Sequence, residues 1–108
     1  MALVEASCAD GVCVLTLNPP ERRNAVTPEL LEELLALLLA AEADDAVTVI
    51  IFTGSGTHFC AGGDFAVIER MIASELVRAE LAHNHAVVAD ALLGLSKPSI
   101  AAVNGPAL

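Results

Sequence analysis

Residues 3–8 and 12–17 are two short runs rich in apolar and β-branched positions, separated by Ala9-Asp10-Gly11. The pattern predicts a hairpin of two strands, with Gly11 able to take positive φ in the turn. In the second run Val12, Val14 and Thr16 alternate with Cys13, Leu15 and Leu17. Both faces are therefore largely apolar, which suits a strand covered on both sides. Pro19 and Pro20 then exclude a regular helix, and Glu21-Arg22-Arg23 reads as a solvent-facing loop. Thr27-Pro28-Glu29 is a helix start: Thr27 can cap, Pro28 fits the first turn, and Glu29 complements the helix dipole. The helix is expected to run to about residue 43, where Asp44-Asp45 ends it. Leu30, Leu31, Leu34, Leu35, Leu37, Leu38 and Leu39 cover more than one stripe, so this helix is buried on two sides or meets another chain.

The second half repeats the alternation of strand and helix. Residues 47–52 form a continuous apolar run with β-branched residues, the mark of a buried parallel strand. A turn follows at Thr53-Gly54-Ser55-Gly56-Thr57, then the segment Phe59-Cys60-Ala61-Gly62-Gly63-Asp64, then a stretch at 65–71 that can be helical. Across 74–95, Leu76, Val77, Leu81, Val87, Val88, Ala91, Leu92 and Leu95 recur at spacings near three and four, the period of a helix. Ser74 is a candidate cap, and Gly94 weakens the last turn. Ser96-Lys97-Pro98 breaks the chain, 99–103 reads as another buried strand, and Asn104-Gly105-Pro106 as a turn. Strands alternating with helices define an α/β class: a hairpin followed by βαβ units, within a single domain over 1–108 that shows no internal repeat.

Composition narrows the partners. The chain of 108 residues is 56% hydrophobic and 3% aromatic, so its core is aliphatic. Its formal net charge of -9, with only five basic residues, argues against nucleic acid and against an anionic membrane surface. The longest apolar run, 34–41, is too short to span a bilayer. The N-terminal residues have neither the basic flank nor the apolar core of a signal peptide, which leads us to expect a cytoplasmic protein. Cys8, Cys13 and Cys60 are odd in number and contain no CxxC pair, so neither a disulfide framework nor a zinc site is expected.

Candidate chemistry concentrates after the third strand. Gly62 and Gly63 lack a Cβ and allow a ligand close to the backbone. Asp64 can cap the helix that follows, and the remaining N–H groups of that helix start suit a phosphate or a developing oxyanion. Glycine pairs of this kind also occur as plain turns. Other groups have plainer readings. His83 and His85 are two apart on a helix and do not share a face. His58 reads as a surface-turn histidine and Cys60 as a small filler beside Phe59. Glu69 and Glu75 read as solvated helix carboxylates. The run from Gly54 to Phe59 starts like a dinucleotide fingerprint, but Phe59 stands where the third glycine belongs.

Three segments together are more specific. Asn18-Pro19-Pro20-Glu21-Arg22-Arg23-Asn24-Ala25-Val26, Phe59-Cys60-Ala61-Gly62-Gly63-Asp64 and Lys97-Pro98-Ser99-Ile100-Ala101-Ala102-Val103-Asn104-Gly105-Pro106-Ala107 stand in this order. In order and spacing they resemble the enoyl-CoA hydratase/isomerase (crotonase) family over essentially the whole chain. The resemblance implies the N-terminal part of a crotonase-like ββα spiral fold. It implies an acyl-CoA thioester as substrate, with coenzyme A arriving as part of it and no separate cofactor or metal. It implies that Arg23 and Ala25 line the groove for the CoA arm, that Ala61, Gly62, Gly63, Asp64 and Phe65 complete the binding segment, and that the Gly63 N–H is one of two donors to the thioester oxygen. An anionic ligand would find Arg22, Arg23 and Lys97 as its few basic groups. The family's second donor and its acid/base glutamates lie beyond Leu108, and its members commonly assemble as trimers or hexamers. The expectation is part of an enzyme, inactive on its own. The alternative is a non-catalytic domain that binds acyl-CoA or assembles with other chains.

Overall fold

In a computed structural model, residues 2–18, 21 and 23–108 are described. Strands β1 (Val4–Ala9) and β2 (Val12–Leu17) form the expected hairpin, with Cys8 opposite Cys13 and Ala9 opposite Val12. Asp10 and Gly11 both take positive φ, 53° and 83°, as a two-residue turn matched to strand twist demands. Helix α1 (Pro28–Ala43) crosses from β2 to β3 (Val49–Gly54). Helices α2 (Phe65–Ala73) and α3 (Glu75–Leu93) then lead to β4 (Ser99–Ala101). The sheet order is β1-β2-β3-β4, with only the first pair antiparallel. The break expected at Pro19-Pro20 lies outside the described residues.

Each helix begins where a side chain can take up its free N–H groups. The Thr27 hydroxyl accepts from the Leu30 N–H at 3.0 Å, the Asp64 carboxylate from Val67 at 2.9 Å, and the Ser74 hydroxyl from Val77 at 3.2 Å. Helix α1 ends against Lys97, whose ammonium donates to the carbonyls of Ala41 at 2.7 Å and Asp44 at 2.5 Å. A cation there complements the negative end of the helix dipole. Lys97 is therefore committed to α1 and is not a ligand group in waiting, because the loop after α3 brings it directly over the last turn of that helix.

Apart from Leu39, which is 53% exposed, the leucine-rich surface of α1 meets two packing partners. One core joins Leu30, Leu38 and Ala41 to Val4, Cys13, Leu15, Leu17, Val47 and Ile50 of the sheet side. A second joins Leu31 to Val67 of α2 and to Leu81 and Val88 of α3, with Leu34 touching both. The helix is thus buried on two sides within one chain, as the middle of three layers.

Two expectations are corrected. Cys8 and Cys13 are joined as a disulfide, because the antiparallel register places them directly opposite at a Cα–Cα distance of 4.0 Å. Spacing along the sequence gives no sign of this pairing; register does. The strand expected as buried over 99–103 is shorter and exposed: Ile100 keeps 53% of its surface, and all three β4 residues are open. β4 is the sheet edge, paired only with β3, and no described element covers it.

Candidate functional site

The turn after β3 and the segment before α1 meet along one side of the sheet. The Arg23 carbonyl accepts from the Ala61 N–H at 3.0 Å, and the Gly62 carbonyl accepts from the Val26 N–H at 2.7 Å. On the other side the Pro106 carbonyl accepts from Phe59 and Cys60 at 3.0 and 3.2 Å, and the Leu108 N–H donates to the Cys60 carbonyl at 2.9 Å. The segment 59–62 thus lies between two backbone neighbours, although only Cys60 and Ala107 form a formal bridge.

A cleft of about 570 Å³ opens in front of this segment. Glu21, Arg23 and His58 line its entrance side, and Ala61, Gly63 and Asp64 its floor. Phe65 and Ile68 of α2, with Leu108, supply apolar walls; Phe65 is 85% exposed. Gly63 is exposed, and a Cβ there would meet nothing within 4 Å. Among the described residues its N–H donates to no group of the chain. Asp64 is occupied at the start of α2, where its carboxylate fixes the first turn.

The structure brings together Arg23, Ala61, Gly63, Asp64 and Phe65 of the residues singled out from sequence. Ala25 lies beneath, 2% exposed, and Gly62 turns away with φ +77° so that a Cβ would meet the Leu108 carbonyl oxygen at 3.1 Å. Neither lines the cleft. Arg22 lies outside the described residues. His58 directly follows the turn, is half-buried where it lines the cleft, and its Nδ1 lies 2.9 Å from the Thr57 hydroxyl. Glu69 and Glu75 are exposed and do not line it.

Sequence reasoning gave no part in the site to Asn24 or Asn104, and read Glu29 only as a complement to the helix dipole. Asn24 is fully buried and Asn104 is exposed, and their amides converge on the loop that ends at the cleft floor. Glu29 receives a two-pronged contact from Arg70, at 2.9 and 3.1 Å, which ties α2 to the start of α1. This hydrogen-bonded guanidinium holds the Glu29 carboxyl below its ordinary value of 4.5. Among the described residues no group of three or more His, Cys, Asp or Glu side chains is placed to hold a metal ion, and no helix is long and apolar enough to cross a membrane.

With this geometry in view, the comparisons with known proteins agree. A profile of the enoyl-CoA hydratase/isomerase family matches residues 7–108. The chain is 38% identical over 102 residues to 4-chlorobenzoyl coenzyme A dehalogenase-2 of an Arthrobacter species, covering 92% of this chain and 37% of that one. It is 38% identical over 107 residues to an enoyl-CoA hydratase of Alternaria alternata, covering 97% and 35%. The crystal structure of an enoyl-CoA hydratase/isomerase from Mycobacterium paratuberculosis superposes with a TM-score of 0.89 at 28% identity, covering 97% of this chain and 42% of that one. The chain therefore belongs to the enoyl-CoA hydratase/isomerase, or crotonase, family, and its hairpin with successive strand and helix units is part of the crotonase fold. It spans little more than a third of the length of these two curated relatives.

Proposed function

We propose that the cleft binds an acyl-CoA thioester, with the thioester oxygen at the Gly63 N–H, as part of an enzyme of the hydratase/isomerase type. The observation that carries this reading is the exposed Gly63 N–H, which donates to no group among the described residues and lines a cleft whose walls are apolar at α2. As an enolate or a related species forms, negative charge collects on the thioester oxygen. A fixed N–H stabilises that charge without having to reorient, an effect worth on the order of 100- to 1,000-fold in rate per donor. Arg23 supplies positive charge at the entrance for the phosphates of the CoA arm, and Phe65 and Ile68 offer apolar surface to the acyl chain. Asp64 holds the loop by capping α2 and takes no proton from the substrate.

A second reading is favoured by the carboxylates themselves. Glu21 and Asp64 are the two that line the cleft; Asp64 is engaged at the helix start and Glu21 sits at the entrance. The carboxylate next to Gly63, that of Asp64, is taken up by the Val67 N–H, and this favours binding as the role of these 108 residues. Turnover, with water addition or double-bond migration as its form, is proposed for the whole protein. Calorimetric titration of the chain with butyryl-CoA and with coenzyme A tests binding. Heat of association with the thioester is the expected result, and no heat at millimolar ligand would remove the proposal.

A further inference from the structure

The turn between β3 and α2 has no regular structure, yet four of its carbonyl groups, those of Ser55, Gly56, His58 and Phe59, are taken up by two side-chain amides. Asn24 Nδ2 lies 3.0 Å from the Ser55 carbonyl oxygen, 2.8 Å from that of His58 and 3.2 Å from that of Phe59. Asn104 Nδ2 donates to Gly56 and His58, both at 3.2 Å, while its Oδ1 accepts from the Gly54 N–H at 3.1 Å. The two residues come from opposite ends of the chain, one before α1 and one after β4. They meet at the His58 carbonyl, which has two lone pairs and can accept from both.

Filling the space under the turn does not call for this arrangement. Asn24 is 0% exposed, and its Oδ1 has no hydrogen-bond partner among the described residues. A buried, unpaired acceptor lowers stability. Arg23 and Asn24 also take left-handed φ, 55° and 56°, which side chains other than glycine adopt at a cost. The strained pair aims the Asn24 amide into the turn and sets the Arg23 carbonyl against the Ala61 N–H at 3.0 Å. The room for these contacts is limited: a Cβ on Gly54 would stand 2.6 Å from the carbonyl oxygens of His58 and Phe59. On the opposite side a Cβ on Gly105 would collide with the Thr57 carbonyl, so the turn carrying Asn104 also sits tight against the loop.

We propose that Asn24 and Asn104 are paired positioning residues that fix the backbone of residues 58–63, and through it the direction of the Gly63 N–H, before a ligand binds. This rests on the thioester reading of the cleft. Side-chain amides do here what strand pairing does elsewhere: they satisfy the carbonyls and remove the turn's freedom, so that the donor is preorganised. Asn24→Asp keeps the size and removes the donors. Asn104→Asp keeps the acceptor for Gly54 and removes the donors to Gly56 and His58.

The test measures amide hydrogen exchange of the full chain, together with calorimetric affinities for butyryl-CoA and for coenzyme A. Asn104→Asp is expected to speed exchange at the hydrogen-bonded amides of Phe59, Cys60 and Ala61 by about tenfold or more, with amides of β2 and α1 unchanged. It is expected to weaken butyryl-CoA by about tenfold and coenzyme A by less, because only the thioester carbonyl needs the Gly63 donor. The double variant is expected to fall short of the sum of the two single effects, since both amides meet at one carbonyl. Exchange that rises equally across the chain would overturn the proposal, as would local acceleration with unchanged butyryl-CoA affinity. A parent chain that binds neither ligand would remove the thioester reading, and the exchange pattern would still decide whether the two asparagines fix the loop. If Asn24→Asp fails to fold, the surface variant Asn104→Asp decides alone.

Discussion

At the scale of single residues, the glycines of the site divide by what stands next to them. Gly54 lies under three close polar atoms: two carbonyl oxygens at 2.6 Å from where a Cβ would be and Asn24 Nδ2 at 2.8 Å. Gly63 faces open space. Gly54→Ala should therefore lower stability by about 2 kcal/mol through overpacking. Gly63→Ala should stay within about 1 kcal/mol of the parent. Urea unfolding of the two variants checks the contrast; equal losses would contradict it. Gly63 stood out in the sequence as part of a glycine pair before a capping Asp, a pattern that plain turns share, and its role as a donor came only with the family resemblance. Asn24 and Asn104 were visible only as letters within longer segments. Their contacts depend on which carbonyls they meet 31 to 48 residues away, and periodicity does not encode that.

At the scale of elements, the helices were the most readable part. Thr27-Pro28 fixes the start of α1 and Asp44 its end, because capping is a local matter of side-chain oxygen and proline geometry. The surroundings of α1 were left open between two neighbours and another chain, since an apolar surface does not name what covers it. The link from α2 to α1 was not legible at all, because Glu29 and Arg70 are 41 residues apart. That link gives α2 a pH dependence. The folded-state Glu29 carboxyl titrates below 4.5, so at acid pH the folded chain binds fewer protons than the unfolded chain. Its stabilising contribution is complete above that ordinary value and is lost as pH falls through the lower folded-state value. Thermal unfolding followed from pH 6 to pH 3 should show a steeper acid loss in the parent than in Glu29→Gln. Parallel curves would exclude the contribution. The effect is modest, because both groups are partly exposed to solvent.

At the scale of the whole molecule, strand order followed from the alternation of apolar runs and helices, but burial of the last strand did not. An apolar sequence such as Ser99-Ile100-Ala101 says what could be covered, and only the neighbours decide whether it is. Ile100 at 53% exposure, Leu93 at 87% and Val103 at 57% leave apolar surface open near the end of the described sheet. An apolar fluorescent dye should therefore bind the native chain, and Leu93→Glu combined with Ile100→Lys should reduce that signal; an unchanged signal would place the dye elsewhere. The cleft joins these scales, because the loop after β3, α2 and the segments around Arg23 and Leu108 contribute to it from four parts of the chain. The most direct measurement is the amide signal of Gly63 in a nitrogen-15-labelled chain titrated with butyryl-CoA and with coenzyme A. A downfield proton shift at Gly63 with the thioester, and a clearly smaller one with coenzyme A, is the predicted result. The same response to both ligands, or none at Gly63 while other cleft residues respond, would contradict the placement of the thioester oxygen.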